Sequence, residues 1–145
     1  MKKIRIVFAT KTQHSKALAE AIGSSLGVAT VNVSAHDEPE EAELLFIVGG
    51  IYGGKCNPVL VSYAEKLDAS QTKHVVLVTS SVSTSHRSQK ELSEIITGKG
   101  IDVLDEITCT GGFLLVKSSH PNKQDIKDVV NRANEIVHQF SIDGE

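Results

Sequence analysis

Residues 44–54 read Leu44-Leu45-Phe46-Ile47-Val48-Gly49-Gly50-Ile51-Tyr52-Gly53-Gly54. Five successive apolar residues suit a strand covered on both faces, as the inner strands of a parallel sheet are. The run ends abruptly at Gly49-Gly50. Toward the N-terminus, Ile4-Arg5-Ile6-Val7-Phe8-Ala9 reads as a second mostly apolar strand. Leu18, Ala21, Ile22 and Leu26 follow it at helical spacing, with Gly27 placed as a C′ glycine. Val28 to Val33 alternates weakly and suits an edge strand. In the acidic run Asp37-Glu38-Pro39-Glu40-Glu41, Pro39 is placed to open a short helix. Toward the C-terminus, Asn57-Pro58 predicts a helix start, and Val59, Leu60, Tyr63, Ala64 and Leu67 form its apolar stripe. Val75 to Val78 predicts a fourth strand that runs into the polar stretch Thr79 to Ser88. Leu92, Ile95 and Ile96 mark a helix that stops near Gly98. Ile101, Val103 and Ile107 predict a fifth strand, with Phe113 to Val116 as an extension. The last helix is capped by Asn122, carries Asp125 in its first turn, and lines one face with Ile126, Val129, Val130, Ala133, Val137 and Phe140. Short apolar runs alternating with helical segments predict an α/β domain: a doubly wound sheet of five parallel strands with about five helices, in a single domain over 1–145.

Composition narrows the function classes. The chain has 145 residues, 40% hydrophobic and 23% charged, with 15 Lys+Arg against 18 Asp+Glu and a net charge of -3. That balance excludes both a strongly basic nucleic-acid protein and an acidic disordered tail. No apolar run approaches the length of a membrane span. Cys56 and Cys109 lie far apart in no CxxC or zinc pattern, and the six histidines show no metal-ligand spacing. A reducing cytoplasm is the expected compartment.

In an open α/β sheet, ligands bind outside the carboxyl ends of the strands. Three segments lie at such ends. Thr10-Lys11-Thr12-Gln13-His14-Ser15 brings hydroxyls and free N–H groups to a helix N-terminus, which serves either a phosphate or a simple helix cap. Gly49-Gly50-Ile51-Tyr52-Gly53-Gly54-Lys55-Cys56-Asn57 sets four glycines around one tyrosine, which favours close approach to a flat ligand. Thr79 to Ser88 is rich in hydroxyls, including Ser80, Ser81 and Ser85 beside His86, and offers donors to a ring edge or a polyol chain. Neither a Walker A sequence nor GxGxxG occurs. The acidic run is read as a solvated edge, with docking as the alternative.

Taken together, these segments resemble the flavodoxin family, short-chain type, over essentially the whole length. Thr10 to Ser15 is similar to that family's phosphate loop, T/S-x-T-G-x-T/S. Gly50-Ile51-Tyr52-Gly53-Gly54 looks like the loop that stacks an aromatic side chain on a flavin. Cys109-Thr110-Gly111-Gly112-Phe113, His120-Pro121-Asn122 and Asp125-Ile126 are similar to the ending of many bacterial flavodoxin-type chains. The resemblance implies strand order 2-1-3-4-5, with FMN at the carboxyl ends. Thr10, Lys11, Thr12, Gln13, His14 and Ser15 would serve the phosphate, and Tyr52 would stack on the isoalloxazine between Gly50, Ile51 and Gly54. Gly53 would offer its carbonyl to the flavin N5–H, and Ser80, Ser81, Ser85 and His86 would line the other side. It further implies a carrier of electrons between redox partner proteins, with the redox chemistry in the FMN. This sequence departs from the family pattern at Gln13, which stands in place of glycine, and in a third loop without an aromatic residue. Its mild charge also differs from the strong acidity of many shuttling flavodoxins. Two alternatives therefore stand beside the carrier: a flavin-dependent oxidoreductase or reductase subunit, for example of protoporphyrinogen-oxidase type, and a domain that has lost FMN.

Overall fold

A computed structural model of the protein describes residues 3–9, 13–34, 37–52, 55–56, 58–81, 87–110 and 123–143. In chain order the elements are β1 (Ile4–Ala9), α1 (Gln13–Leu26), β2 (Thr30–Asn32), β3 (Ala42–Tyr52), β4 (Lys55–Cys56), α2 (Pro58–Glu65), β5 (Thr72–Ser81), α3 (Arg87–Thr97), β6 (Asp102–Thr110) and α4 (Lys123–Asp143). The five long-path strands pair in parallel in the order β2-β1-β3-β5-β6, which is the order 2-1-3-4-5 of the parallel strands. The short β4 folds back antiparallel on the end of β3, with Ile51 opposite Cys56 and Tyr52 opposite Lys55.

Strand alternation divides the core between the two faces of the sheet. Val7, Ala9, Leu45, Ile47, Val75 and Leu77 join α2 and α3 on one face through Leu60, Tyr63, Leu92 and Ile96. Ile6, Phe8, Leu44, Phe46, Val48, Val76 and Val78 join α1 and α4 on the other through Leu18, Ile22, Val129 and Ala133. Phe46, wholly buried in the central strand, contributes on the order of 1.5–3 kcal/mol by burial alone. The apolar run read in the sequence is thus the middle of the sheet, wetted on neither side.

Several predicted boundaries shift. β3 does not stop at Gly49-Gly50 but runs to Tyr52, because β5 continues beside it through Ser80 and Ser81. β5 itself spans more than Val75–Val78, and its polar end lies in the strand. The edge strand shortens to three residues. Gly27 takes φ 72°, the left-handed C′ position expected of it. In β6 the pairing slips: Val75 faces Val103 but Val76 faces Asp105. The unopposed Leu104 is a bulge residue, and it inverts the alternation. Val103 therefore packs toward α3, whereas Ile107 joins the opposite cluster. Asp105 meets Arg132 of α4 at 2.6 Å, and the carboxylate raises that guanidinium's already high pKa.

The helix expected around Pro39 is not found among the described residues. Residues 37–41 instead carry no regular secondary structure and form a strap between β2 and β3. Two interactions select this form over one turn of helix. Asp37 closes a local turn, its carboxylate accepting the Ser34 amide at 2.6 Å. Arg5 reaches up from β1, its Nε donating to the Glu41 carbonyl at 2.7 Å and its Nη1 lying 3.4 Å from the Glu40 carboxylate. A helical turn would crowd the four carboxylates of this segment without that cation among them. Four helices stand among the described residues rather than about five, and the suggested strand at Phe113 to Val116 lies outside them.

Candidate functional site

The strand registers build a ledge. Ala9, the last residue of β1, is level with Gly49 of β3 and Thr79 of β5, and Thr79 is level with Thr108 of β6. Beyond that level β1 ends, but β3, β5 and β6 continue. Gly50 pairs with Ser80 and Ile51 with Ser81, while Ser80 and Ser81 pair with Cys109 and Thr110. Only residues 10–12 separate β1 from α1, so Ala9 and Gln13 lie at most roughly 14 Å apart. The N-terminus of this 14-residue helix therefore lies at the foot of the ledge. Here too the chain leaves β1 for β2 on one side and returns to β3 on the other, the switch point at which open α/β sheets bind ligands.

Of the residues singled out in the sequence, the backbone brings Gln13, His14 and Ser15, in the first turn of α1, to the same end of the sheet as Gly50, Ile51 and Tyr52 and as Ser80 and Ser81. Thr10, Lys11, Thr12, Gly53, Gly54, Ser85 and His86 lie outside the described residues. On either side of Gly53-Gly54, Ile51 and Tyr52 pair antiparallel with Cys56 and Lys55. That pairing escaped the sequence reading because Lys55-Cys56 is too short to show alternation.

Gly49 has a different role from the one its neighbours suggest. A methyl group added there would fall on the side chain of Leu60, which is fully buried in α2. This glycine lets helix and strand approach closely and is not free to admit a ligand. Thr79 was read as the start of a polar loop, yet it is buried in the strand beside Gly49, and its Oγ1 has no hydrogen-bond partner among the described residues. It is an uncharged polar group held at the base of the ledge.

The charge at this end is one-sided. Segments 10–16, 49–57 and 79–90 contain no Asp or Glu, although acidic residues outnumber basic ones in the chain as a whole. They contain Lys11, Lys16, Lys55, Arg87 and Lys90. The first turn of α1 also carries no acidic residue of its own to meet the positive end of its dipole. Lys90 is paired with Glu94 at 3.9 Å; hydroxyls, helix N-terminal amides and cations are the donor set that an anion such as a phosphate monoester requires. Among the described residues no group of three or more His, Cys, Asp or Glu could hold a metal ion. No helix among them is long and apolar enough to cross a membrane.

No family model matches the chain. An uncharacterized protein of Methanocaldococcus jannaschii is 24% identical over 148 residues, covering 94% of this chain and 99% of that protein. Among solved structures, the chain is similar to a short-chain flavodoxin associated with a bacterial microcompartment, at TM-score 0.67 and 14% identity over 96% of this chain and 99% of that one. It is also similar to an NAD(P)H:quinone oxidoreductase of Methanothermobacter marburgensis, at TM-score 0.66 and 10% identity over 94% and 96% of the two chains. The fold is flavodoxin-like.

Proposed function

We propose that the carboxyl end of the sheet binds FMN and that the protein carries electrons between redox partners. The observation that carries this reading is the ledge. An acid-free helix N-terminus at the switch point stands beside strand ends that continue past β1. The flavodoxin-like fold and its likeness to a quinone oxidoreductase support a redox role.

Bound there, FMN would supply reversible one- or two-electron transfer. The chain's own residues would do the rest. The amides and hydroxyls of Thr10, Thr12, Gln13, His14 and Ser15 would hold the phosphate, with Lys11 adding charge. Tyr52 would cover the ring from the hairpin, and Gly50, Ile51, Gly53 and Gly54 would present backbone groups to its edge. Ser80, Ser81, Ser85 and His86 would bond the opposite side and limit water there. The absence of carboxylates at this end implies a redox partner with an acidic face.

A second reading, a flavin-dependent reductase that turns over a small substrate, is favoured by the same lack of acidity and by the likeness to a quinone oxidoreductase. One experiment addresses both. The purified protein is titrated with FMN while visible absorbance and flavin fluorescence are followed, and the loaded protein is then reduced and offered quinones or protein acceptors. Quenched fluorescence with a perturbed spectrum is expected. Reoxidation by proteins but not by small quinones supports the carrier, and the reverse supports the reductase. Absence of FMN binding at high micromolar concentration contradicts both and leaves a domain without the cofactor.

A further inference from the structure

Toward the amino-terminal end of the sheet, a groove of about 460 Å³ is lined by residues of β5, β6 and α4. Its entry point on β5, His74, lies about 20 Å along the strand from Ser80. The volume is that of a small-molecule site. Leu104, Ile136 and Phe140 give the groove an apolar wall. Ile136 is 8% exposed, but Leu104 is 41% exposed, because the register shift in β6 leaves this bulge residue without a partner on β5.

The charges lining the groove already engage one another. Arg132 lies 2.6 Å from the Asp105 carboxylate through Nη2 and 3.2 Å from that of Glu135 through Nη1. The second Asp105 oxygen accepts the Glu106 amide at 2.8 Å. A cation entering here would compete with Arg132, and an anion would meet two carboxylates. The groove therefore favours a neutral ligand.

One polar side chain is left over. The His74 ring stands edge-on to Phe140, with centroids 5.2 Å apart and planes at 73°. Its Nδ1 is buried without a hydrogen-bond partner, and the Asp102 carboxylate lies 3.7 Å away. A carboxylate on that side favours the imidazole proton on Nδ1, which leaves the Nε2 lone pair as an acceptor. Nε2 makes no hydrogen bond among the described residues and is not enclosed, so it is the nitrogen of this lining residue that a ligand can reach.

We propose that the groove binds a neutral phenol, its ring on Leu104, Ile136 and Phe140 and its hydroxyl donating to His74 Nε2. An aromatic ring suits a wall that includes Phe140. The hydroxyl supplies the donor that Nε2 lacks, and the ligand brings no charge to Arg132 and its two carboxylates. A free phenolic compound and a tyrosine side chain of a partner protein share this chemistry.

The test is a titration of the ¹⁵N-labelled protein with p-cresol, with toluene, which lacks only the hydroxyl, and with benzoate as the charged control. Saturable amide shifts are expected at Leu104, Ile136 and Phe140 with p-cresol, and none that saturate with benzoate. Toluene should bind roughly three- to tenfold more weakly than p-cresol. His74→Phe should abolish that preference, and Leu104→Ala, at an exposed position that the core does not need, should weaken both ligands. Tighter binding of Nα-acetyl-tyrosine N-methylamide than of p-cresol identifies a protein side chain as the source, and weaker binding identifies a free phenol. Shifts that never saturate, equal affinities for p-cresol and toluene, or a preference that survives His74→Phe overturn the proposal. None of these residues belongs to the FMN end, so the result is independent of the flavin reading.

Discussion

The carboxyl end of the sheet and the strap beside β1 sit on one small scaffold with opposite chemistry. The carboxyl end gathers hydroxyls, glycines and a helix N-terminus, and segments 10–16, 49–57 and 79–90 carry cations but no carboxylate. The strap gathers Asp37, Glu38, Glu40 and Glu41 near Val7, Val31 and Val33, where residues 37–41 carry no regular secondary structure. One carries cations without carboxylates in these segments, the other a run of carboxylates. The net charge of -3 averages over the two and describes neither. Local charge, not the total, decides what each end can hold.

The comparison breaks most readily at α1. Gln13→Asp places a carboxylate in the first turn, where it favours the helix dipole but opposes a bound phosphate. The expected outcome is FMN affinity lowered about ten- to hundredfold with thermal stability unchanged or raised, as calorimetry and thermal melts would show together. A stability loss that paralleled the affinity loss would mean that the residue is merely structural. Gly49→Ala tests the packing beneath the same end: the methyl collides with Leu60, and overpacking of this kind costs about 1–3 kcal/mol. Chemical denaturation would register it as a lower midpoint at unchanged slope.

At the strap, Arg5→Gln removes the cation that holds Glu40 and the Glu41 carbonyl. A loss of about 1–2 kcal/mol is expected, with faster amide exchange through 37–43 and none near Gly50. Tyr63 supplies a pH test. Burial first, and the Glu40 charge next, push its phenol up to about 12 from the ordinary 10.0. The folded state then keeps a proton that the unfolded state releases. The resulting stability is whole below pH 10 and is lost as pH rises toward 12. Between those values wild type should lose melting temperature relative to Tyr63→Phe, and parallel curves would contradict the assignment. Smallest of all, Lys3→Ala removes an exposed 3.5 Å pair with Glu41 and should change stability by under about 0.5 kcal/mol.

Much of the fold was legible because it depends on periodicity. The Leu44–Val48 run, the Ile4–Ala9 run and the α4 stripe each carry a repeat that only one element satisfies. The illegible parts rest on contacts between distant residues. Pro39 is a sound helix opener by local preference, but Arg5, more than thirty residues earlier, ties down its segment through the Glu41 carbonyl and the segment carries no regular structure. The strand ends through Tyr52 and Ser81 are polar or glycine-rich, and their pairing with each other and with β4 and β6 keeps them in the sheet. The Leu104 bulge likewise exists only against β5. Residue types and chain position singled out segments after β1, β3 and β5, and the backbone brings Gln13, Gly50 and Ser80 of those segments to one end of the sheet. The role of Gly49 against Leu60 and the burial of Thr79 needed three dimensions, because neither residue's neighbours in sequence reveal them.

The central claim is that the acid-free end holds FMN by its phosphate. Side-by-side calorimetric titrations of the protein with FMN and with riboflavin, which lacks only that phosphate, test it most directly. The account predicts that FMN binds at micromolar concentration or tighter and at least about tenfold more tightly than riboflavin. Equal affinities for the two, or none for either, would contradict it.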